Sequence, residues 1–283
     1  MNKSKVLISV VVPTCHRNDL LAKCLDCLAP EVQTLAATEY EVIVSDDGSK
    51  TTAEAMMREQ YPWAKWVAGP RKGPAANRNN GAEQARGEWL AFTDDDCLPE
   101  PQWLSAFAQH IDKEYPVLEG KTTSDKTGLF YTAPINLTGG YLWSCNMMVR
   151  KSLFNQLEGF DDNFPFARLE DVDFRVRLQE AGNTMYFVPE AVVFHPHRVL
   201  GSIVKQTLAY ESDWYMSRKH NLPLSYFQLH PFLYWKGQLR NVVKNSRSPI
   251  EALRFLVTRS CVEAALLVFF SFRWNKKYKK VSS

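Results

Sequence analysis

Residues 87–96 read GEWLAFTDDD. A short apolar run, Trp89–Thr93, ends at three consecutive aspartates, Asp94, Asp95 and Asp96. An apolar run of this length bounded by turn residues predicts a strand buried on both faces. Three adjacent carboxylates repel one another unless a cation offsets their charge, and hard oxygens suit Mg2+ or Mn2+. Turn and cap chemistry also uses aspartate, so the surroundings decide. Two upstream stretches repeat the pattern: VLISVVV (6–12) leads into Pro13-Thr14, and YEVIVS (40–45) ends at Asp46-Asp47-Gly48-Ser49. Helical spacing follows each, first with Leu20, Leu21, Cys24, Leu25 and Leu28 behind Asp19, then over 51–60 and 76–86, with a short strand near Trp66–Ala68. This β-α-β-α rhythm predicts a parallel nucleotide-binding α/β layer. Ligands of such sheets lie beyond the carboxyl ends of the strands, so the three polar groups are expected to share one crevice.

The 283 residues are 45% hydrophobic and 23% charged, which excludes both a disordered chain and a mini-protein held by staples. The net charge of +3 conceals an asymmetry: residues 203–283 hold 14 basic and 4 acidic side chains, leaving the rest of the chain at −7. A basic tail points to an anionic partner such as a phospholipid surface. No nucleic-acid recognition motif is present, and none is expected as a partner. The six cysteines are read as reduced thiols of a cytosolic protein, because Cys24-x-x-Cys27 lies in a helical run and has no second ligand pair for zinc. There is no P-loop and no Gly-x-Gly-x-x-Gly. The opening MNKSKVLISVVV reads as a first strand, and the longest uninterrupted apolar run of the tail, Ala264–Phe270, is too short to span a bilayer.

Beyond residue 115 the rhythm becomes mixed. GGYLWSCN (139–146), GFDDNF (159–164) and a helix opening at Glu170-Asp171 precede a strand over 185–194, which delivers His195-Pro196-His197. Carboxylates in a first helical turn are favoured by the helix dipole. His16, His110, His220 and His230 have no comparable company. The expected organisation is a domain over 1–200, with halves 1–115 and 116–200, then a basic, aromatic helical region over 201–283 with a long apolar helix near 250–272.

The series SVVVPTCHRNDLL, EVIVSDDGS, GPAANRNNGAEQARGEWLAFTDDD, GFDDNF and EDVDFRVRLQEAG resembles glycosyltransferase family 2 in order and spacing from about residue 8 to 200. The resemblance implies an α/β fold of GT-A type, a Rossmann-like mixed sheet flanked by helices. It also implies a nucleotide-sugar donor (a UDP-sugar), Mn2+ or Mg2+, and transfer with inversion to a glycan or lipid-linked acceptor in cell-surface polysaccharide synthesis. Carried over residue by residue, Pro13, Thr14 and Arg17 edge the nucleoside pocket. Asp47 bonds the base with Asp46 in support, and Arg78 lies near the base and diphosphate. Asp94 reaches the ribose and Asp96 the metal; the middle Asp95 leaves a register shifted by one open. His195 completes the metal shell, with His197 a competitor. Asp171 is the general base that an acceptor hydroxyl requires. Trp143, Asn146, Asp161 and Glu170 are expected at the acceptor, Trp143 by stacking on a sugar face. The sequence departs from the family pattern at Glu158, which precedes Gly159-Phe160-Asp161, and at His16. Two alternatives are a sugar-nucleotide pyrophosphorylase, which needs a Gly-rich basic loop where PTCHRND stands, and a non-catalytic nucleotide-sugar-binding scaffold. The tail is expected to attach peripherally to the cytoplasmic face of a membrane.

Overall fold

The computed structural model describes residues 6–111, 114–126, 128–227 and 231–278. The opening residues Met1–Lys5, His230, Lys279 and Lys280 lie outside them. The chain forms two units. One comprises Met1–Ser124, Pro134–Asp162 and Glu170–Pro196; the other comprises Asp125–Ala133, Asn163–Leu169 and His197–Ser283. The segments 125–133 and 163–169, expected with the first domain, therefore belong with the tail.

The first unit is built on the strands β1 (Ile8–Thr14), β2 (Tyr40–Asp46), β3 (Lys65–Ala68), β4 (Trp89–Phe92), β5 (Leu98–Pro99), β6 (Val117–Thr123), β8 (Met147–Arg150) and β9 (Met185–Phe194), in the order β3-β2-β1-β4-β8-β6-β9-β5. The omitted β7 (Tyr131–Thr132) pairs with β10 (Arg198–Val199) in the second unit. Strands β3, β2, β1 and β4 run parallel, and β8 is antiparallel to both β4 and β6. The sheet is thus mixed, α/β, and flanked by helices.

Alternation along the strands distributes the apolar residues to two faces. Val10, Val12, Trp89 and Ala91 join the core beneath the helices α1 (Asn18–Leu28) and α4 (Trp103–Ala108). Val11, Leu90 and Phe92 join the opposite core, with Phe154, Phe160 and Phe174. Because both faces are covered, β1 and β4 are buried throughout and read as unbroken apolar runs. On α1 the buried stripe is Leu21, Cys24, Leu25 and Leu28, whereas Leu20 is partly exposed. Helix α2 spans Glu54–Gln60 and α3 Pro74–Glu83. Gly81 in α3 has a packing reason: a Cβ there would stand 2.5 Å from Val11 Cγ1, so the helix approaches β1 as only glycine permits. In β9, Pro189 is tolerated because the register against β6 shifts between Gly120 and Lys121, leaving its missing N–H outside the ladder.

The remaining helices of the first unit are α5 (Lys151–Gln156) and α6 (Glu170–Glu180). The second unit holds α7 (Ile203–Ala209), α8 (Glu211–Lys219), α9 (Pro231–Asn245) and a continuous helix over Pro249–Lys277 with a π turn at Leu256–Ser260. Ser248 caps that helix by accepting from Glu251 N at 3.1 Å, and Pro249 occupies its first position. Arg259 and Glu263, which interrupt its apolar sequence, are buried within the unit. Arg259 donates to Gln206 and to the carbonyl of Gly201, and Tyr234 donates to Glu263. By length and composition this 29-residue helix could cross a membrane, although the run counted from sequence is short.

Candidate functional site

The carboxyl ends of β1, β2 and β4 lie side by side, since β1 pairs in parallel with both neighbours. Thr14 Oγ1 donates to Asp95 Oδ2 at 2.7 Å, joining β1 to the aspartate cluster. Asn77 of α3 closes the other side: Ser45 Oγ donates to its Oδ1 at 2.6 Å, and its Nδ2 donates to the carbonyls of Ser45 and Thr14. Asn80 Nδ2 bonds Ser45 Oγ at 2.8 Å and Ala68 O at 3.0 Å, so two asparagines of one helix hold three strand ends together.

The first acidic doublet divides its work. Asp46 is consumed by its own loop, accepting from Gly48 N (2.8 Å), Ala53 N (2.6 Å) and Trp66 Nε1 (3.2 Å). Asp47 accepts from Arg71 N at 2.8 Å and Gly73 N at 3.0 Å, and so shapes the GPRKGP loop that leads into α3.

In the aspartate triplet each member has different company. Asp94 Oδ1 accepts from Arg78 Nη2 at 2.6 Å. Asp95 is wholly buried under the Arg17 guanidinium, with Nη2 2.6 Å from Oδ1 and Nε 3.1 Å from Oδ2. Burial pushes its pKa up to about 6, against the lowering influence of Arg17 and Thr14. Asp96 has Arg17 Nη1 at 3.3 Å and, across from it, His195 Nε2 at 3.6 Å from Oδ1. Asp96, Cys97 and His195 place one ligand atom each within 4.8 Å of one another, and they are the metal-capable group among the described residues. His195 Nδ1 lies 2.8 Å from the Pro196 carbonyl, which can only accept, so Nε2 is the ring nitrogen turned toward Asp96. A carboxylate and an imidazole so arranged fit a divalent cation such as Mn2+. The Cys97 thiol is pushed well up by burial and by its contact with Cys145, and holds its proton. His197 is engaged elsewhere: in the second unit its Nδ1 lies 2.9 Å from Asp125 Oδ1.

Arg78 is the hub of the other side. It is buried in α3, and besides Asp94 its Nη1 reaches Glu170 Oε1 at 3.2 Å, with the guanidinium 5.8 Å from the Phe160 ring centroid. Burial would lower its pKa, but Asp94 and then Glu170 more than offset this. Glu170 is pushed up to about 7, first by burial and then by adjacent Asp171, with Arg78 opposing. Asp171, half-buried, accepts from Val172 N at 2.8 Å and Ser144 N at 3.3 Å. Burial raises its pKa as well. Asn79 clamps the neighbouring loop by exchanging two hydrogen bonds with the Phe160 backbone (2.7 and 2.9 Å), and Asp161 follows directly. Arg177 supports the same loop from α6 through the carbonyls of Leu157 and Gly159.

The GGYLW loop is organised by Glu119, a buried carboxylate whose role the sequence reading did not anticipate. It accepts from Gly140 N, Tyr141 N (3.1 Å), Leu142 N (2.9 Å) and Asn136 Nδ2 (3.0 Å). A lone acid inside the apolar VLEG, ahead of two glycines, was the available signal. Gly139, Gly140 and Leu142 take positive φ values, which lets the three amides converge. Tyr141, 44% exposed, stacks on Trp143 with ring centroids 5.3 Å apart at 21°. Trp143 is the half-buried support, and Tyr141 presents the open ring. Asn146, expected at the acceptor, has its amide engaged within the sheet: Trp103 Nε1 donates to its Oδ1 at 2.8 Å, and its Nδ2 bonds the carbonyls of Lys121 and Ala191.

A profile of the family described as Glycosyl transferase family 2 matches residues 9–160. The chain belongs to that family. Among its relatives, the glycosyltransferase AglE of Haloferax volcanii is 26% identical over 225 residues, covering 73% of this chain and 72% of that one. A validoxylamine A glucosyltransferase of Streptomyces hygroscopicus subsp. limoneus is 28% identical over 295 residues, covering 88% of this chain and 63% of that protein. The solved structure of S. aureus TarS 1–349 superposes with a TM-score of 0.58 at 18% identity, covering 98% of this chain and 90% of that one. The fold is therefore of GT-A type, and the chain is a nucleotide-sugar-dependent glycosyltransferase. TarS 1–349 has also been solved with UDP-GlcNAc, and the mannosyltransferase PcManGT of Pyrobaculum calidifontis, with a TM-score of 0.56, with GDP-Man and Mn2+.

Proposed function

We propose that this glycosyltransferase transfers a sugar from a UDP-sugar, with inversion, to a hydroxyl of a glycan or lipid-linked saccharide in cell-surface polysaccharide synthesis, as a peripheral protein on the inner face of the cell membrane. The observation that carries the reading is Arg78. One buried guanidinium bonds both Asp94, at the end of β4, and Glu170, at the start of α6. The donor-side aspartates and the acceptor-side carboxylates are thereby within one side chain's reach.

Pro13, Thr14, Asp47 and Arg17 border the nucleoside. Asp96 and His195 would hold a divalent cation, which supplies neutralisation of the charge on the leaving diphosphate. Asp171 accepts the proton of the acceptor hydroxyl; the oxygen attacks the anomeric carbon from the face opposite the diphosphate, and the bond to that leaving group breaks. The raised pKa of Asp171 brings it closer to neutrality, which suits a general base. The stacked Tyr141 and Trp143 offer an apolar platform to a sugar face of the acceptor.

Thermal-shift measurements with UDP-, GDP- and dTDP-sugars plus Mn2+ identify the donor, because a ligand of the folded state raises its melting temperature. UDP release is then followed with free and polyprenyl-linked oligosaccharides. Asp171→Asn should keep donor binding and lose ~10²-fold or more in turnover. Undiminished turnover in that variant would remove the assignment.

A further inference from the structure

The tail region disposes its charges unevenly. All four acids of residues 203–283 are engaged internally. Glu211 accepts from Lys277 and Tyr278, and Asp213 is gripped by Arg168. Glu251 accepts from Arg247 N, and Glu263 lies between Tyr234 and Arg259. The exposed charge of this unit's helices is consequently basic, including Arg240, Lys244, Arg254, Arg273 and Lys276.

The same helices expose apolar side chains at helical spacing. On the long helix Leu253, Val257, Val268, Phe269 and Phe272 face outward, Phe269 at 71% and Phe272 at 76% exposure. Val243 of α9, at 84%, stands between the exposed Arg240 and Lys244. The opposite face of the long helix is occupied: Ala264, Leu267 and Trp274 pack with Trp214 and Tyr234, and Arg259 and Glu263 point into that interior. A helix that packs one side on its own unit and lines the other with phenylalanine beside arginine and lysine has the pattern of an element lying in the headgroup layer.

We infer that the outer face of Pro249–Lys277 docks on an anionic phospholipid bilayer, Phe269 and Phe272 entering the headgroup–acyl boundary and the flanking cations pairing with lipid phosphates. This names the surface behind the membrane attachment proposed above and rests on that reading only for its biological setting. Each basic residue near such a surface contributes roughly fivefold in affinity, and phenylalanines buried in the bilayer add to this, so removing either group is expected to show in the binding.

The test is co-sedimentation of the full chain with phosphatidylglycerol/phosphatidylcholine vesicles and with pure phosphatidylcholine vesicles, at low and high salt. Binding is expected on the anionic vesicles, at least tenfold weaker on the neutral ones, and reduced by salt. Phe269→Ser with Phe272→Ser, and separately Arg273→Glu with Lys276→Glu, should each weaken it about tenfold or more. Melting temperature and UDP release are read on the same preparations. Lost UDP release with vesicle binding intact counts against the enzymatic reading alone. Absent binding by the full chain, or binding as tight as wild type in both variants, overturns the inference. So does a dimer dissolved by the phenylalanine changes, which would give the face to a second copy, or attachment that resists alkaline extraction, which would mean a spanning helix.

Discussion

Replacing Arg78 by leucine should expose the charge arrangement on which the site depends. The guanidinium is buried against Glu170, itself buried, and Asp94, which retains some solvent. Removing one partner of a buried pair costs about 3–5 kcal/mol, because the other charge remains. Glu170 softens that cost, since its pKa already lies at about 7 and it can take up a proton. In the variant its folded-state pKa rises further, so between pH 7 and the new value the variant holds a proton that the wild type has lost. Stability relative to wild type then falls as pH rises, by up to about 1.4 kcal/mol per pH unit. From pH 7 to 8.5 this adds about 2 kcal/mol to a deficit of roughly 2 kcal/mol at pH 6, which comes from Asp94 and from packing lost over Phe160. Hydrogen exchange of the β1 and β4 amides against urea, at pH 6 and 8.5, reads the stability of this unit. Arg78→Lys keeps the charge and should show a smaller, flatter deficit. A deficit for Arg78→Leu that is constant with pH, or larger at pH 6, would refute the pairing argument.

Asp96→Asn and His195→Ala should each weaken Mn2+-dependent UDP binding by roughly 10–100-fold in calorimetry, with the fold retained. Equal binding with and without Mn2+ in both would discard the ligand pair. Glu119→Ala leaves three loop amides without their acceptor, at about 1–3 kcal/mol for each buried group; it should raise the acceptor KM while sparing the donor KM, and parallel rises would show a global defect instead. Glu170 has a folded pKa of about 7 against an ordinary 4.5. The folded state therefore binds its proton more tightly, and the stability this confers is complete below pH 4.5 and lost as pH climbs through 7, by at most about 3 kcal/mol. Glu170→Gln should flatten that part of the stability profile; an unchanged profile would place the titration elsewhere.

The parallel strands were legible because burial on both faces leaves an unbroken apolar run, which its shortness and its flanking turn residues separate from a buried helix, as VLISVVV and WLAF display. Their carboxyl-end groups were legible for a topological reason: parallel strands must present the same end to the same edge. What could not be read was the partnership of individual carboxylates. Sequence spacing gave Asp94, Asp95 and Asp96 equal standing, whereas the structure separates them by contacts reaching back to Thr14 and Arg17, outward to His195 and across to Arg78. Asn146 looked like a polar group free to meet a ligand; only the packing of Trp103 and the bulge opposite Ala191 reveal that its amide is already used. Glu119 was hidden for the converse reason, because its partners are main-chain amides, which carry no mark in the sequence. The excursions 125–133 and 163–169 leave the first unit without any compositional break.

Neighbouring acids recur at the site, as Asp46-Asp47, Asp95-Asp96 and Glu170-Asp171, and their partners suggest why doublets are useful there. At a strand end, successive side chains point to opposite sides, and in a first helical turn they diverge by about 100°. One member can then be committed to the protein while its neighbour is presented differently. Asp46 satisfies three donors of its loop, and Asp47 meets the backbone of the loop entering α3. Asp95 is locked under Arg17 and Thr14, and Asp96 faces the His195 imidazole. Glu170 is bound to Arg78, and Asp171 is oriented by two main-chain amides. The committed residue fixes the backbone from which the other projects. In the last doublet this would serve the proton abstraction proposed for Asp171, because the anchored turn holds its carboxylate against the amides of Ser144 and Val172. Glu170→Gln would weaken the pair with Arg78 while leaving those two amides in place, so Asp171 should keep its orientation in that variant.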